Sequence, residues 1–243
     1  MATAILIDGA YFIKRFRAIE PHNMYNPARA ADCIHRWAVA HLSTKPTSSL
    51  VANSPNRPAR RHELYRIFFY ECAPLEKKLH NPISKRSVDF GRSQEAVFRL
   101  ELHRLLLAKR KLALRLGHLS SDVPWTIKPD KIKDLLAGRI AFNHLSPDDV
   151  MPAVRQKGVD MRIGVDVASL AFKKQVDQIV LIAGDADFVP AAKLARREGI
   201  DFVLDPMWRN IPTGLMEHID GLRSTCPKPA VRSVTLKTEE PSG

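Results

Sequence analysis

Residues 4–7 form a continuous apolar run that Asp8-Gly9 ends, the pattern of a strand buried on both faces with a carboxylate at its C-terminal end. Asn26 and Pro27 read as N-cap and first helical position, and Ile34, Trp37, Ala38, His41 and Leu42 follow at helical spacing. Residues 43–62, rich in Ser, Thr, Pro and Arg, predict a flexible basic loop before an aromatic strand at 65–70. A helix is expected over 93–111 with Phe98, Leu102, Leu105 and Leu112 inward, and 112–116 reads as a further strand. Residues 120–156, with Pro124, Pro129, Pro147 and Pro152, predict an irregular insertion holding one short helical stretch near 130–136.

The remainder is more regular. A helix is expected from 160 to about 174, then the most strand-like segment of the chain at 178–183. A helix with Pro190 in its first turn and Gly199 just past its end follows, and a strand at 200–204 closes the set. Strands alternating with helices predict an α/β fold, a Rossmann-like parallel sheet flanked by helices, with ligands at the carboxyl ends of its strands. The expected organisation is one domain over 1–225, interrupted at about 43–62 and 120–156, and a disordered tail at 226–243 that is rich in Pro, Lys and Ser.

This pattern gives the carboxylates a common place. Asp8 follows the first strand, Asp185 and Asp187 follow the strand at 178–183, and Asp160 opens a helix. In a parallel sheet these positions share one edge, where four carboxylates repel one another unless a divalent cation lies between them; the oxygen donor set suits Mg²⁺ or Mn²⁺. Each Asp also admits a structural role, Asp160 and Asp187 as helix caps and Asp8 as a turn residue. Asp166, two turns into its helix, either supports the ligands from behind or is a solvated helix position, and Pro206 makes a turn role sufficient for Asp205.

Charge adds a partner. The chain of 243 residues carries a formal charge of +12, and residues 57–139, with 19 basic against 9 acidic side chains, hold +10 of it. The carboxylates concentrate after residue 140. A polyanion held by cations and processed at metal-bearing carboxylates fits both halves. Arg57, Arg60 and Arg61 in the loop and Arg104, Lys109, Arg110 and Lys111 on the helix are the expected RNA-binding residues. Three cysteines without a CxxC pair, Cys33, Cys72 and Cys226, support neither a disulfide framework nor a zinc site and favour a reducing, cytoplasmic location. No apolar run nears the roughly 18 residues of a membrane span, no Gly-rich phosphate loop is present, and no Gly-x-Ser-x-Gly marks a hydrolase serine.

Ile5-Leu6-Ile7-Asp8-Gly9, Lys157-Gly158-Val159-Asp160 and Gly184-Asp185-Ala186-Asp187-Phe188-Val189-Pro190, in that order, resemble the NYN-domain family, its LabA-like branch, relatives of PIN-domain and flap nucleases. The resemblance implies a PIN-like α/β fold and a metal-dependent endoribonuclease, with Asp8, Asp160, Asp185 and Asp187 as catalytic metal ligands and RNA, single-stranded or structured, as substrate. Two positions depart from the family pattern: Ala10-Tyr11 stands where relatives carry Asn, and Ala186 where Ser is common. They motivate an alternative, a catalytically weak or inactive RNA-binding regulatory module of the same fold. A glycosyltransferase holding Mn²⁺ and a nucleotide sugar through Asp185-x-Asp187 is a third reading, which the basic middle section fits poorly. A membrane partner is not expected, and homo-oligomerisation is left open.

Overall fold

The computed structural model describes residues 1–43 and 62–229. In chain order the strands and helices are β1 (Ala2–Asp8), α1 (Gly9–Ile19), α2 (Pro27–Ala40), β2 (Glu63–Cys72), β3 (Lys78–His80), β4 (Ser87–Asp89), α3 (Gln94–Leu107), β5 (Leu112–Leu119), β6 (Trp125–Ile127), α4 (Pro129–Leu136), β7 (Val150–Pro152), β8 (Gln156–Lys157), α5 (Val159–Phe172), β9 (Gln178–Ile182), α6 (Val189–Arg197), β10 (Asp201–Asp205), α7 (Thr213–Met216) and β11 (Gly221–Leu222).

Seven strands form one sheet in the order β11-β10-β9-β1-β2-β5-β8. Every neighbouring pair is parallel except β5 with β8. The apolar runs of β1 and β9 are buried throughout, as residues covered on both faces must be. Alternation sorts them: Ile5 and Ile7 pack with Phe12, Phe16, Ile34, Trp37, Phe98 and Leu102 from α1, α2 and α3, whereas Ala4 and Leu6 pack with Ile163, Val167, Leu170, Ala192 and Ala195 from α5 and α6. The result is the expected α/β architecture, a largely parallel sheet between two helical layers. From β1 the chain runs outward to β2 and β5, then returns to place β9 on the other side of β1, so the crevice between β1 and β9 is the point where strand order reverses, the usual ligand position in such sheets.

Several sequence expectations shift in detail. Helix α3 ends at Leu107 and not near 111, because Lys111 turns the chain at φ 59° into β5. Strand β5 runs on to Leu119 through Gly117, where a Cβ would lie 2.6 Å from the Lys157 carbonyl oxygen. The segment 120–156 contains the two-stranded β6–β7 ladder and α4. Cys226, the first residue of the expected tail, is buried with the α1–α3 layer, and the Trp208 indole N–H donates to its carbonyl at 2.7 Å. Residues 230–243 and the loop residues Arg57, Arg60 and Arg61 lie outside the described residues.

Candidate functional site

Asp8 closes β1, and its Oδ1 accepts the Tyr11 N–H at 3.1 Å, which caps α1. Asp185 leaves β9 in the neighbouring strand and accepts the Asp187 N–H at 3.3 Å. Neither of the other two acids caps a helix. Gly158, at φ 79°, occupies the cap position of α5 and leaves Asp160 exposed in its first turn; α6 begins after Phe188 with no side-chain cap, and Asp187 is exposed in the preceding 3₁₀ turn. Side-chain capping therefore does not account for Asp160 and Asp187, which stand as acids in the first turns of their helices, where the helix dipole favours negative charge.

Asp8 and Asp160 feel the charges around them. Burial pushes the Asp8 carboxyl up to about 6, and the negative charges of Asp160 and Asp185 add to that rise. Asp160 is raised as well, first by burial and then by Asp187 and Asp185. Among the described residues no group of three or more His, Cys, Asp or Glu side chains is drawn together so as to hold a metal ion. The donor set, four carboxylates with mutual repulsion and no competing imidazole or thiolate, nevertheless has the chemistry of a hard divalent cation.

Cations share this space. Asp8 and Asp185 line a cavity of about 630 Å³ together with Tyr11, Lys14, Arg209 and Pro212. Arg209 is delivered by a turn over 206–209 whose two central members, Met207 and Trp208, both hold left-handed backbone angles, φ 46° and 65°. Such conformations cost roughly 1–2 kcal/mol per non-glycine residue and persist where the surroundings over-determine them. Here they do. Asp205 Oδ1 accepts the Met207 N–H at 2.7 Å, Arg15 donates twice to the Met207 carbonyl at 3.1 and 2.7 Å, and the Trp208 N–H donates to Ser224 Oγ at 3.0 Å. The Tyr11 hydroxyl, its acidity suppressed by burial, donates to the Pro206 carbonyl at 2.6 Å, and its ring packs so closely on Gly184 that a Cβ there would sit 2.5 Å from Cε2. Tyr11 therefore braces the turn against the strand end that carries Asp185.

Buried Asp205 belongs to that scaffold, paired with His41 at 2.9 Å inside the protein. Asp166 accepts the Tyr70 hydroxyl at 2.8 Å and pairs with Arg115 at 3.3 Å, with no bond to the four acids. The helix cations fall elsewhere. Arg104 is paired with Glu101 at 2.6 Å on α3, and Lys111 binds the Leu64 carbonyl beside the start of β5. Since β5 runs parallel to β1 through β2, the 104–111 cluster lies at the amino edge of the sheet, opposite the carboxylates. Lys14 and Arg209 were not among the residues expected from sequence: nothing local marks Arg209, whereas Phe12, Ile13 and Phe16 at helical spacing are the signal that places Lys14 on a helix directly after Asp8.

A curated relative, an uncharacterized protein of Methanocaldococcus jannaschii, is 31% identical over 91 residues, a stretch that makes up 31% of this chain and 38% of the relative. The match thus spans well under half the length of that relative. A crystal structure of a protein of unknown function from Vibrio parahaemolyticus RIMD 2210633 aligns over 91% of this chain and 90% of its own, at a TM-score of 0.41 and 16% identity. The NYN domain description matches residues 125–216, a span that includes Asp160, Asp185 and Asp187 and stops short of Asp8. NYN domains form a family of PIN-like nucleases, and residues 125–216 of this chain are similar to it.

Proposed function

We propose that the protein is a divalent-metal-dependent endoribonuclease that hydrolyses RNA phosphodiester bonds at the carboxyl edge of its sheet, with Asp8, Asp160, Asp185 and Asp187 as the ion-binding, catalytic carboxylates. The observation that carries this reading is the cavity at the β1–β9 crevice, where Asp8 and Asp185 meet Lys14 and Arg209. Mg²⁺ or Mn²⁺ bound there supplies Lewis acidity toward phosphate oxygens and makes water a competent nucleophile near neutral pH.

The chain's own residues bind and orient. Lys14 and Arg209 offset the repulsion that bare carboxylates exert on a phosphodiester, and the braced turn fixes Arg209 before substrate arrives, which lowers the entropy cost of positioning. Tyr11, of the Ala10-Tyr11 pair that stands where the resembled family carries Asn, donates its hydroxyl hydrogen bond to the Pro206 carbonyl and so contributes position instead of a contact to water. A second reading, RNA binding without turnover, draws support from the spread of the carboxylates and from Ala186.

One pair of measurements separates them. Calorimetric titration of Mn²⁺ and an RNA cleavage assay are run on the same sample, with Asp185→Asn to exclude contaminating nuclease. Mn²⁺ binding with cleavage that Asp185→Asn abolishes is the expected result. Binding of RNA and Mn²⁺ without cleavage selects the module, and absence of both overturns the reading.

A further inference from the structure

A second cavity, of about 310 Å³, opens between the ends of β2 and β5 and the start of α3. Its walls include Pro74, Leu75, Phe90, Leu119 and Val154, and its polar groups include Glu95, Arg99 and Gln156. The position is tied to both sides of the carboxylate edge. Gly9, next to Asp8, lies so close to buried Glu71 that a Cβ would meet its Cγ at 2.6 Å, and Glu71 in turn contacts Arg99 in the cavity wall. On the other side Gln156 stands four residues before Asp160.

The charge inside is balanced. Arg99 contacts Glu71 and bonds Glu95 at 2.6 Å, and Glu95 reaches Arg17 at 2.7 Å, so two carboxylates match two guanidinium groups. His103, bonded to Glu71 at 2.9 Å, is held neutral, its pKa pushed down to about 4 by burial and by Arg99. A cavity without net charge offers an anion little, yet apolar walls with a few hydrogen-bonding groups suit a neutral planar heterocycle. Phe90 supplies a ring for stacking, on a backbone pinned by the Ser93 hydroxyl, which donates to the Phe90 carbonyl at 2.6 Å. The volume suits one ring system and is too small for a folded segment of a protein.

We propose that this cavity is a subsite for one unpaired nucleobase of the RNA strand whose phosphate lies at the carboxylates, stacked on Phe90 and hydrogen-bonded by Arg99 and Gln156. It rests on the reading of the protein as one that acts on RNA, and it goes beyond that reading by assigning recognition of a flipped-out base to a defined place.

The test uses a short single-stranded RNA kept intact with EDTA, and the same RNA with an abasic sugar moved along it one position at a time. Loss of the base at one position, and only there, weakens binding by roughly 5- to 150-fold, the effect of removing a stacked base. Phe90→Ala removes most of that position dependence. Val154→Trp, a change at a residue 39% exposed and so compatible with folding, fills the cavity and removes it too. Equal losses at every position, or unchanged position dependence in Val154→Trp, overturn the subsite while cleavage with Mn²⁺ stands or falls by its own assay. A position-specific loss in a protein that never cleaves keeps the subsite and overturns the nuclease. No RNA binding in any arm overturns both.

Discussion

Replacing Asp8 by Asn removes a carboxylate that the fold itself disfavours. Its folded pKa of about 6 stands against an ordinary value of 3.8, so between those pH values the folded state keeps a proton that the unfolded chain has lost. The stability associated with protonated Asp8 is therefore complete below pH 3.8 and lost as pH rises through about 6. Two units correspond to about 3 kcal/mol at roughly 1.4 kcal/mol per unit. Asn accepts the Tyr11 N–H as well as Asp does, so the α1 cap survives the change. Asp8→Asn is thus expected to be more stable than the parent at pH 7 by about 2 kcal/mol, a Tm higher by roughly 4–8 °C, and indistinguishable from it at pH 3.5.

Urea unfolding of both proteins at half-unit pH steps from 3.5 to 7.5 reads the difference directly, and a second series with millimolar Mn²⁺ tests what the charge is for. An ion at 100 times its Kd stabilises the parent by about 2.7 kcal/mol through mass action, which closes or reverses the gap to the variant. An Asp8→Asn protein less stable than the parent at pH 7, or a gap that does not change between pH 3.5 and 7, refutes the picture of a buried, repelled carboxylate. A gap unmoved by Mn²⁺ refutes the shared ion.

Gly184→Ala places a methyl 2.5 Å from the Tyr11 ring and is expected to cost about 1–3 kcal/mol in urea unfolding, with loss of RNA affinity as the 206–209 turn is released. Lys14→Ala and Arg209→Ala are each expected to reduce the slope of log affinity against log salt by about one, read by fluorescence anisotropy with labelled RNA, whereas Arg104→Ala leaves it unchanged because that side chain is at the other edge. Asp205→Ala leaves His41 and the backbone N–H groups of Met207 and Thr225 without their acceptor and is expected to destabilise by about 3–5 kcal/mol in thermal or urea unfolding.

The parts of this protein that could be read from the sequence are those set by local pattern. The strands at β1 and β9 announce themselves because both faces are buried, and α2 and α6 because Asn26, Pro27 and Pro190 mark their starts. Helix α1 was hidden by its own first residue. Gly9 is a poor helix former and Asp-Gly an ordinary turn, yet only glycine fits here, because a Cβ would lie 2.6 Å from both Glu71 Cγ and the Tyr70 carbonyl oxygen. That requirement comes from β2, more than fifty residues away, and no window around Asp8 contains it. Gly117, past the end of the strand expected at 112–116, is demanded in the same way, since the closeness of the Lys157 carbonyl is a contact across forty residues.

The candidate site divides along the same line. Carboxylates at strand ends are legible because a parallel sheet brings strand ends together whatever the loops do, and the structure does place Asp8 and Asp185 side by side in one crevice. Cations are different. Counting basic residues located an excess in the middle of the chain, but a count carries no direction, and part of that excess lies at the amino edge, neutralised by Glu101 and Glu63. Arg209 reaches the carboxylates only because Tyr11 and Arg15 bind the turn across more than 190 residues of sequence, and the strain at Met207 and Trp208 is the local sign of that distant demand. A turn held in an unfavourable conformation by five separate hydrogen bonds has had its geometry fixed at the expense of stability, and the group so fixed is a guanidinium beside two carboxylates. Releasing the turn while keeping Arg209, as Tyr11→Phe would by removing the hydrogen bond to the Pro206 carbonyl, should therefore loosen phosphate binding even though every charged residue remains.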